Sequence, residues 1–219
     1  FIRNCFWWLI MAISYPLATP TNKTIQQVAF FARNTVAISQ SPFTYSQQVH
    51  KWTGQRWEAD ITLPPMKRAD AEEWISFLVK LKGSYGTFLL GDPSAVTPRG
   101  TASSTPGTPV VNGASQTGDQ LVIDGATASQ TGYLKAGDYI QLGSTSNARI
   151  YKVLDDANSN GSGEVALTIY PNLRSSPSDG ATVVVSSAVG LFRLTTPTHN
   201  WAISTDGIYS LSFGAAEAL

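Results

Sequence analysis

The sequence predicts a mainly β fold: an N-terminal β-sandwich with one α-helix, interrupted by an inserted small β-barrel or sandwich domain. Two observations support this prediction. Short runs rich in β-branched and aromatic residues recur between glycine, asparagine and proline residues. The aromatic-rich composition of residues 28–90 also stops at Gly91-Asp92-Pro93 and resumes near Gly190. A second domain looped out of an exposed turn explains this interruption.

The first strands are predicted within residues 24–63. Residues 28–33 and 47–52 are β-rich runs, bounded by Asn34, Ser41-Pro42 and Gly54. The next stretch alternates strictly between apolar and polar residues, which indicates a strand with one buried face. The residues expected on that buried face are Trp57, Ala59, Ile61 and Leu63.

One helix is predicted over residues 69–82. Apolar residues recur there at helical spacing, namely Trp74, Phe77, Leu78 and Leu81. Acidic residues crowd its first turn and lysines its last, as the helix dipole favours. Gly83 follows as the predicted C-cap.

Residues 95–186 are predicted to form the inserted domain. Its linker is rich in proline, and its short strands are separated by turn residues. The predicted strands cover residues 121–123, 139–142, 149–154, 165–170 and 182–185. Residues 12–94 and 187–219 would then form the host domain, with returning strands at 191–194, 201–203 and 209–213. Deleting the insertion is expected to leave a folded core.

The composition excludes several classes of function. Charged residues make up 14% of the chain and sum to zero, so there is no field to hold nucleic acid or an anionic membrane. We therefore expect no sequence-specific nucleic-acid binding and no membrane insertion. A single cysteine, Cys5, excludes an internal disulfide framework. Residues 1–11 are interpreted as sequence upstream of a start at Met11, as an arm that packs on a partner, or as a secretion signal.

No catalytic constellation is recognisable, and the sequence predicts a protein that is not an enzyme and has no cofactor. His50 and His199 lie far apart in sequence, outside any known catalytic motif. Residues 155–164 begin like a calcium loop, but Leu167 stands where a bidentate glutamate is required. A wide hairpin turn is the favoured interpretation of that segment, with weak calcium binding as the alternative.

Exposed aromatic residues would indicate a different function, the binding of sugars. Four aromatic side chains are candidates for contacts with a glycan: Tyr133, Tyr139, Tyr151 and Trp201. The alternative function is therefore a carbohydrate-binding module that contacts host-surface glycans through the inserted domain. A secreted hydrolase is a further alternative, which requires the N-terminal segment to act as a signal.

The order of these segments resembles a known family. The stretch from ARNTVAISQSPFTYSQQVHKW to GTFLLGDP resembles the N-terminal part of distal tail proteins from long-tailed, siphovirus-like bacteriophages. GASQTGDQLVIDG, YLKAGDYIQLG and ARIYKVL resemble the β-domain inserted in one lineage of that family, and FRLTTPTHNWAISTDGIYSLSFGAAEAL resembles its closing strands. The likeness covers nearly all of residues 12–219.

The resemblance implies a structural virion protein, made in the host bacterial cytoplasm and located at the tail tip. It implies a homohexameric ring that joins the tail tube protein to the tail-tip hub or baseplate proteins, with a lumen for DNA. The inserted domain would project outward. Two strands are the candidates for the ring interface, with Val28, Phe30, Phe31, Arg33, Tyr209, Leu211 and Phe213 as the candidate residues.

Overall fold

The computed structural model describes residues 13–20 and 25–219. The predictions for residues 1–11, including Cys5, lie outside the described residues. The described chain is mainly β with one α-helix, as the sequence predicts. The strands of the first half are β1 (Leu17–Ala18), β2 (Gln27–Gln40), β3 (Gln47–Thr62), β4 (Met66–Lys67), β5 (Phe88–Leu90), β6 (Val110–Val111) and β7 (Gln120–Asp124).

The second half contains the remaining strands: β8 (Tyr139–Leu142), β9 (Arg149–Val153), β10 (Val165–Tyr170), β11 (Val183–Val184), β12 (Gly190–Leu194), β13 (Trp201–Ile203) and β14 (Ile208–Glu217). The single α-helix, α1, is Arg68–Lys80, and two short 3₁₀ turns lie at Thr101–Ser103 and Thr145–Asn147. These strands form two separate sheets.

The first sheet has eight strands and contains the first and last described strands, β1 and β14. Its main order is β1-β5-β12-β14-β3-β2, with β13 and β4 flanking the N-terminal half of β14. The predicted alternation in β3 is confirmed, because Trp57, Ala59, Ile61 and Leu63 are all buried. These residues face the buried side of α1, which presents Trp74, Phe77 and Leu78 to the same core.

Helix α1 begins and ends close to the predicted positions. Asp70 lies in its first turn and Lys80 in its last, where each charge complements the helix dipole. Leu81 is the C-cap, and the chain then leaves the helix through left-handed conformations at Lys82 and Gly83. The predicted C-cap, Gly83, instead lies two residues beyond the observed cap, at a left-handed φ that glycine adopts without steric cost.

The second sheet is built only from β6 to β11. Its strand order is β11-β8-β9-β10-β7-β6, and a bridge between Val110 and Thr182 joins its two ends. The sheet is therefore a nearly closed barrel, filled by its own apolar cluster that includes Leu121, Ile140, Leu167 and Tyr133. Such closure leaves few unpaired strand edges.

The chain leaves the first sheet and returns to it at neighbouring positions. Leu90, at the end of β5, is the antiparallel partner of Gly190, at the start of β12. Gly190 packs so closely on the barrel that a Cβ atom there would lie 2.6 Å from Ile150 Cγ2. Any larger residue would therefore require Ile150 or the backbone at Gly190 to shift, since real Cβ atoms do not approach other carbons this closely.

Strands β2 and β3 form one long hairpin, which the sequence divided into three short strands. Residues 28–33 and 47–52 are parts of longer strands, and Asn34 and Gly54 lie within or beside the pairing rather than ending it. The register shifts between Asn34 and Val36, as at a β-bulge. A bulge absorbs turn-forming residues without breaking a ladder, so these signals did not mark strand ends.

Candidate interaction surfaces

The outer part of the β2–β3 hairpin is exposed over nearly its whole length. We call residues 35–54 the arm; every one of them is exposed except Ser41, which is half-buried. Six β2 residues and the turn give the arm a reach of about 20 Å. A two-stranded hairpin of this kind is only marginally stable without a partner.

The arm carries large apolar side chains on both faces and at its tip. Cross-strand partners share a face, so Ile38 and Val49 lie together, and Trp52 and His50 lie on the opposite face. At the tip, Phe43 is 92% exposed and Tyr45 is 74% exposed. The only charged side chain in the arm, with histidine taken as neutral, is Lys51. An apolar projection with one charge is typical of a surface that is covered in an assembly.

The base of the arm is held by an ionic cluster. Glu58 accepts a hydrogen bond of 2.8 Å from Arg33 and one of 2.6 Å from Arg56. The bond from Arg33 lowers the pKa of Glu58, against the opposing effect of burial. Gln55 then donates to Asn34 Oδ1 at 3.1 Å across the bulge. These contacts orient the arm where it leaves the sheet.

A second surface joins the barrel to the first sheet. The indole N–H of Trp57 donates to the carbonyl of Ile150 at 3.3 Å, and its ring contacts that of Tyr170 edge-on at 5.0 Å. The hydroxyl of Tyr170 donates to the carbonyl of Arg33 at 2.8 Å. Tyr139 and Ile150 belong to the core of the first sheet although they lie in barrel strands. The two sheets therefore share one packed interface.

An ion pair lies at the edge of this interface. Arg174 Nη2 lies 2.5 Å from Glu217 Oε2, and the Glu217 side chain is only 1% exposed. The same oxygen accepts a hydrogen bond of 3.2 Å from the backbone N–H of Trp57. A buried carboxylate requires such partners, because losing its hydration without them is costly.

The candidate ring-interface residues lie in different environments. Phe31 and Arg33 are exposed, and Val28 and Phe30 are half-buried against the core. The candidates in β14 are buried: Tyr209 and Phe213 are 9% exposed and Leu211 is 3% exposed. Alternate residues of a strand face opposite sides, and these three face the core of their own chain. They have little free surface to offer a neighbour.

The candidate glycan contacts are mostly buried as well. Tyr133, Tyr139 and Tyr151 are each at most 6% exposed, because they fill the barrel and the interface between the sheets. Trp201 is 40% exposed on β13. Tyrosine is common both in cores and on binding surfaces, so its presence in a strand does not distinguish the two. Of the four residues, Trp201 alone presents a broad face to solvent.

Tyr133 provides a measurable probe of barrel packing. Its hydroxyl donates to the carbonyl of Pro106 at 2.6 Å, and burial raises its pKa to about 12. The unfolded chain loses this proton at about pH 10, so between about pH 10 and pH 12 the unfolded state is favoured as pH rises. We expect Tyr133→Phe to cost about 1 kcal/mol at neutral pH, because the hydrogen bond is lost.

The same substitution should also flatten the alkaline loss of stability, since the titrating group is removed. Urea unfolding of the variant and the parent at about pH 8 and about pH 11 measures both effects. Tyr85→Phe is the matched control, because Tyr85 is 74% exposed. If the variant Tyr133→Phe and the parent lost the same free energy of unfolding between about pH 8 and about pH 11, titration of Tyr133 would not be the cause of the alkaline loss.

The segment 155–164 connects antiparallel strands β9 and β10, as the hairpin interpretation predicts. Its side-chain oxygens bind backbone amides: Asp156 accepts from Ala136 at 2.9 Å, and Asn158 accepts from Gly132 at 2.6 Å. Asn160 accepts from Glu164 N at 2.9 Å. Within the described part of the chain, no three His, Cys, Asp or Glu side chains cluster as a metal ion would require.

The two histidines lie in separate elements. His50 is exposed on the arm, and its ring lies 4.4 Å from that of Trp52. His199 precedes β13, and burial lowers its pKa. Among residues 13–20 and 25–219, no helix has the length and apolar character needed to cross a bilayer.

Residues 95–189 match the family model described as distal tail protein pb9, B domain. No curated protein matches the chain significantly. The matched segment covers all six strands of the barrel and the residues that bring the chain back to β12. A match to a family of phage tail components indicates a structural role in the virion tail. The match supports the resemblance predicted from the sequence, since residues 95–189 are similar to the B domain of a phage distal tail protein.

Proposed function

We propose that the chain forms a homohexameric ring at the distal end of a phage tail. The ring would connect the tail tube to the tail-tip hub and host-recognition proteins, and its lumen would let DNA pass. Residues 12–94 and 187–219 would build the ring, and residues 95–186 would form the peripheral domain. The pairing of Leu90 with Gly190 supports this division, since it brings the two junctions together.

The arm is the observation on which this proposal depends. It extends from the ring-forming sheet, away from the Tyr170 contact at its base, and exposes Ile38, Val49 and Trp52. A closed ring needs a surface on each copy that contacts a different surface on the next copy. A projecting apolar hairpin meets that need, and burial by a neighbour would stabilise it.

The ring is tested by measuring the mass and shape of the full chain. Light scattering should give the mass of a hexamer, and negative-stain images should show six-fold rings with a central hole. A chain that stays monomeric at every concentration, both alone and with purified tail tubes, would contradict the proposal.

Replacing Ile38 and Val49 together by serine should weaken assembly. The two side chains share a face of the arm and are 63% and 62% exposed. Losing the burial of both would cost about 3 kcal/mol per interface, which is roughly a hundredfold in the dissociation constant. The melting temperature of the monomer should not change. Val79→Ser is the matched control, because Val79 is 59% exposed on α1.

A further inference from the structure

We propose that neighbouring copies join by β-strand pairing between the outer edge of β2 in one arm and the free edge of β13 in the next copy. This inference rests on the proposed ring and names the surfaces that close it. It assigns a role to the exposed apolar residues of β13, which the barrel and the core leave unused.

The first edge is that of β2. Strand β3 pairs along one side of β2, and no described strand pairs along the other side. Proteins usually protect such an edge with lysine, proline or short length. Strand β2 has 14 residues, with neither lysine nor proline among them. At the base of the arm, the carbonyl of Arg33 already accepts a hydrogen bond from the Tyr170 hydroxyl. The part of β2 whose outer edge is free to pair is therefore residues 35–40. An unprotected edge of this length is a template for another strand.

The second edge is that of β13. This strand pairs with β14 on one side only among the described strands. All three of its residues are exposed, and Trp201 and Ile203, at 40% and 55% exposure, lie on the same face. The exposed face of β13 is therefore apolar, like the arm face that carries Val36 and Ile38.

The charges beside the two edges are complementary. Lys51, which lies on β3 opposite Val36 and one strand in from the β2 edge, is the only charged side chain of the arm with histidine taken as neutral. Asp206, in the turn between β13 and β14, is the only charged side chain of residues 198–207. Both residues are exposed. Opposite charges beside two apolar edges favour one pairing over pairing of an edge with itself.

The geometry of a ring favours a second copy of this chain as the partner. Pairing of β2 with β2 would be two-fold symmetric and would stop at a dimer. Pairing of β2 with β13 uses two different surfaces, so each copy can bind one neighbour on each side. Repeated around an axis, this contact gives a closed ring whose sheets continue from one subunit to the next.

Cross-linking tests the pairing directly. In the full chain with Cys5→Ser, which removes the sole cysteine, Ile38→Cys and Ile203→Cys are made singly and together. A short bis-maleimide should link a mixture of the two single variants, and the double variant should give a ladder of bands up to six subunits. Val79→Cys replaces Ile203→Cys in the matched control, which should give no ladder.

The outcomes separate this inference from the proposed function. Rings that form without the ladder, or a covalent dimer of Ile38→Cys alone, would overturn the pairing and leave the ring intact. Monomers throughout would overturn both. As an independent readout, Lys51→Glu or Asp206→Lys alone should weaken assembly about threefold. Combining the two should restore it, and a failure to restore it would count against the pairing.

Discussion

Replacing Arg174 by methionine should lower the free energy of unfolding by about 3 kcal/mol. The substitution removes the 2.5 Å partner of Glu217 and leaves a carboxylate that is 1% exposed beside the interface of the two sheets. Methionine keeps much of the apolar stem of the arginine side chain. The loss of stability therefore reports the missing positive charge rather than lost packing. Urea unfolding followed by tryptophan fluorescence measures it, because Trp57 lies at this interface.

The matched control is Arg68→Met. Arg68 and Glu72 form an ion pair on α1, but their side chains are 78% and 47% exposed. Removing an exposed pair should cost less than about 1 kcal/mol. If the two substitutions lowered the free energy of unfolding equally, the buried negative charge of Glu217 would not depend on Arg174 for its compensation.

Deleting residues 95–186, with a short Gly/Ser bridge between Ser94 and Ser187, should cost roughly 5 kcal/mol of stability or more. The deletion removes Tyr139, Ile150 and Tyr170 from the first sheet's core and interface, and it leaves Glu217 without Arg174. A loss of this size is comparable to the whole stability of many domains. The truncated chain should therefore be largely unfolded or aggregated at ambient temperature.

Two further variants make this prediction specific. Adding Glu217→Gln to the deletion should recover roughly 2 kcal/mol, because the uncompensated charge is gone. Inserting the same bridge after Ser94 in the full chain should change stability by less than about 1 kcal/mol, since long surface loops are tolerated. A truncated chain as stable as the full chain would show that the interface contributes nothing.

This expectation differs from the one that the sequence supports. From composition alone, the inserted segment looked removable, because the chain leaves at Gly91-Asp92-Pro93 and returns near Gly190. Sequence patterns report which residues avoid water but not which sheet they pack against. Tyr139 and Ile150 have the same strand signal as their neighbours Ile140 and Tyr151, yet the first pair packs into the other sheet's core.

The arm shows a related limit of prediction from sequence patterns. Ser41-Pro42 marks the turn of the hairpin as predicted, but Asn34 and Gly54 wrongly suggested further strand ends. A β-bulge at Asn34 instead keeps the hairpin continuous. Exposure on both faces follows from where the sheet ends, which depends on neighbours far along the chain.

The sequence by itself determined the fold class, the helix, most strand positions, the face of β3 that is buried and the resemblance to phage distal tail proteins. Each of these depends on local periodicity or on segment order, which a single chain displays directly. The tertiary structure alone decided the exposure of the arm, the burial of Tyr133, Tyr139 and Tyr151, and the Arg174–Glu217 pair. Those features depend on contacts between residues distant in sequence, because burial is set by the neighbours that folding brings together.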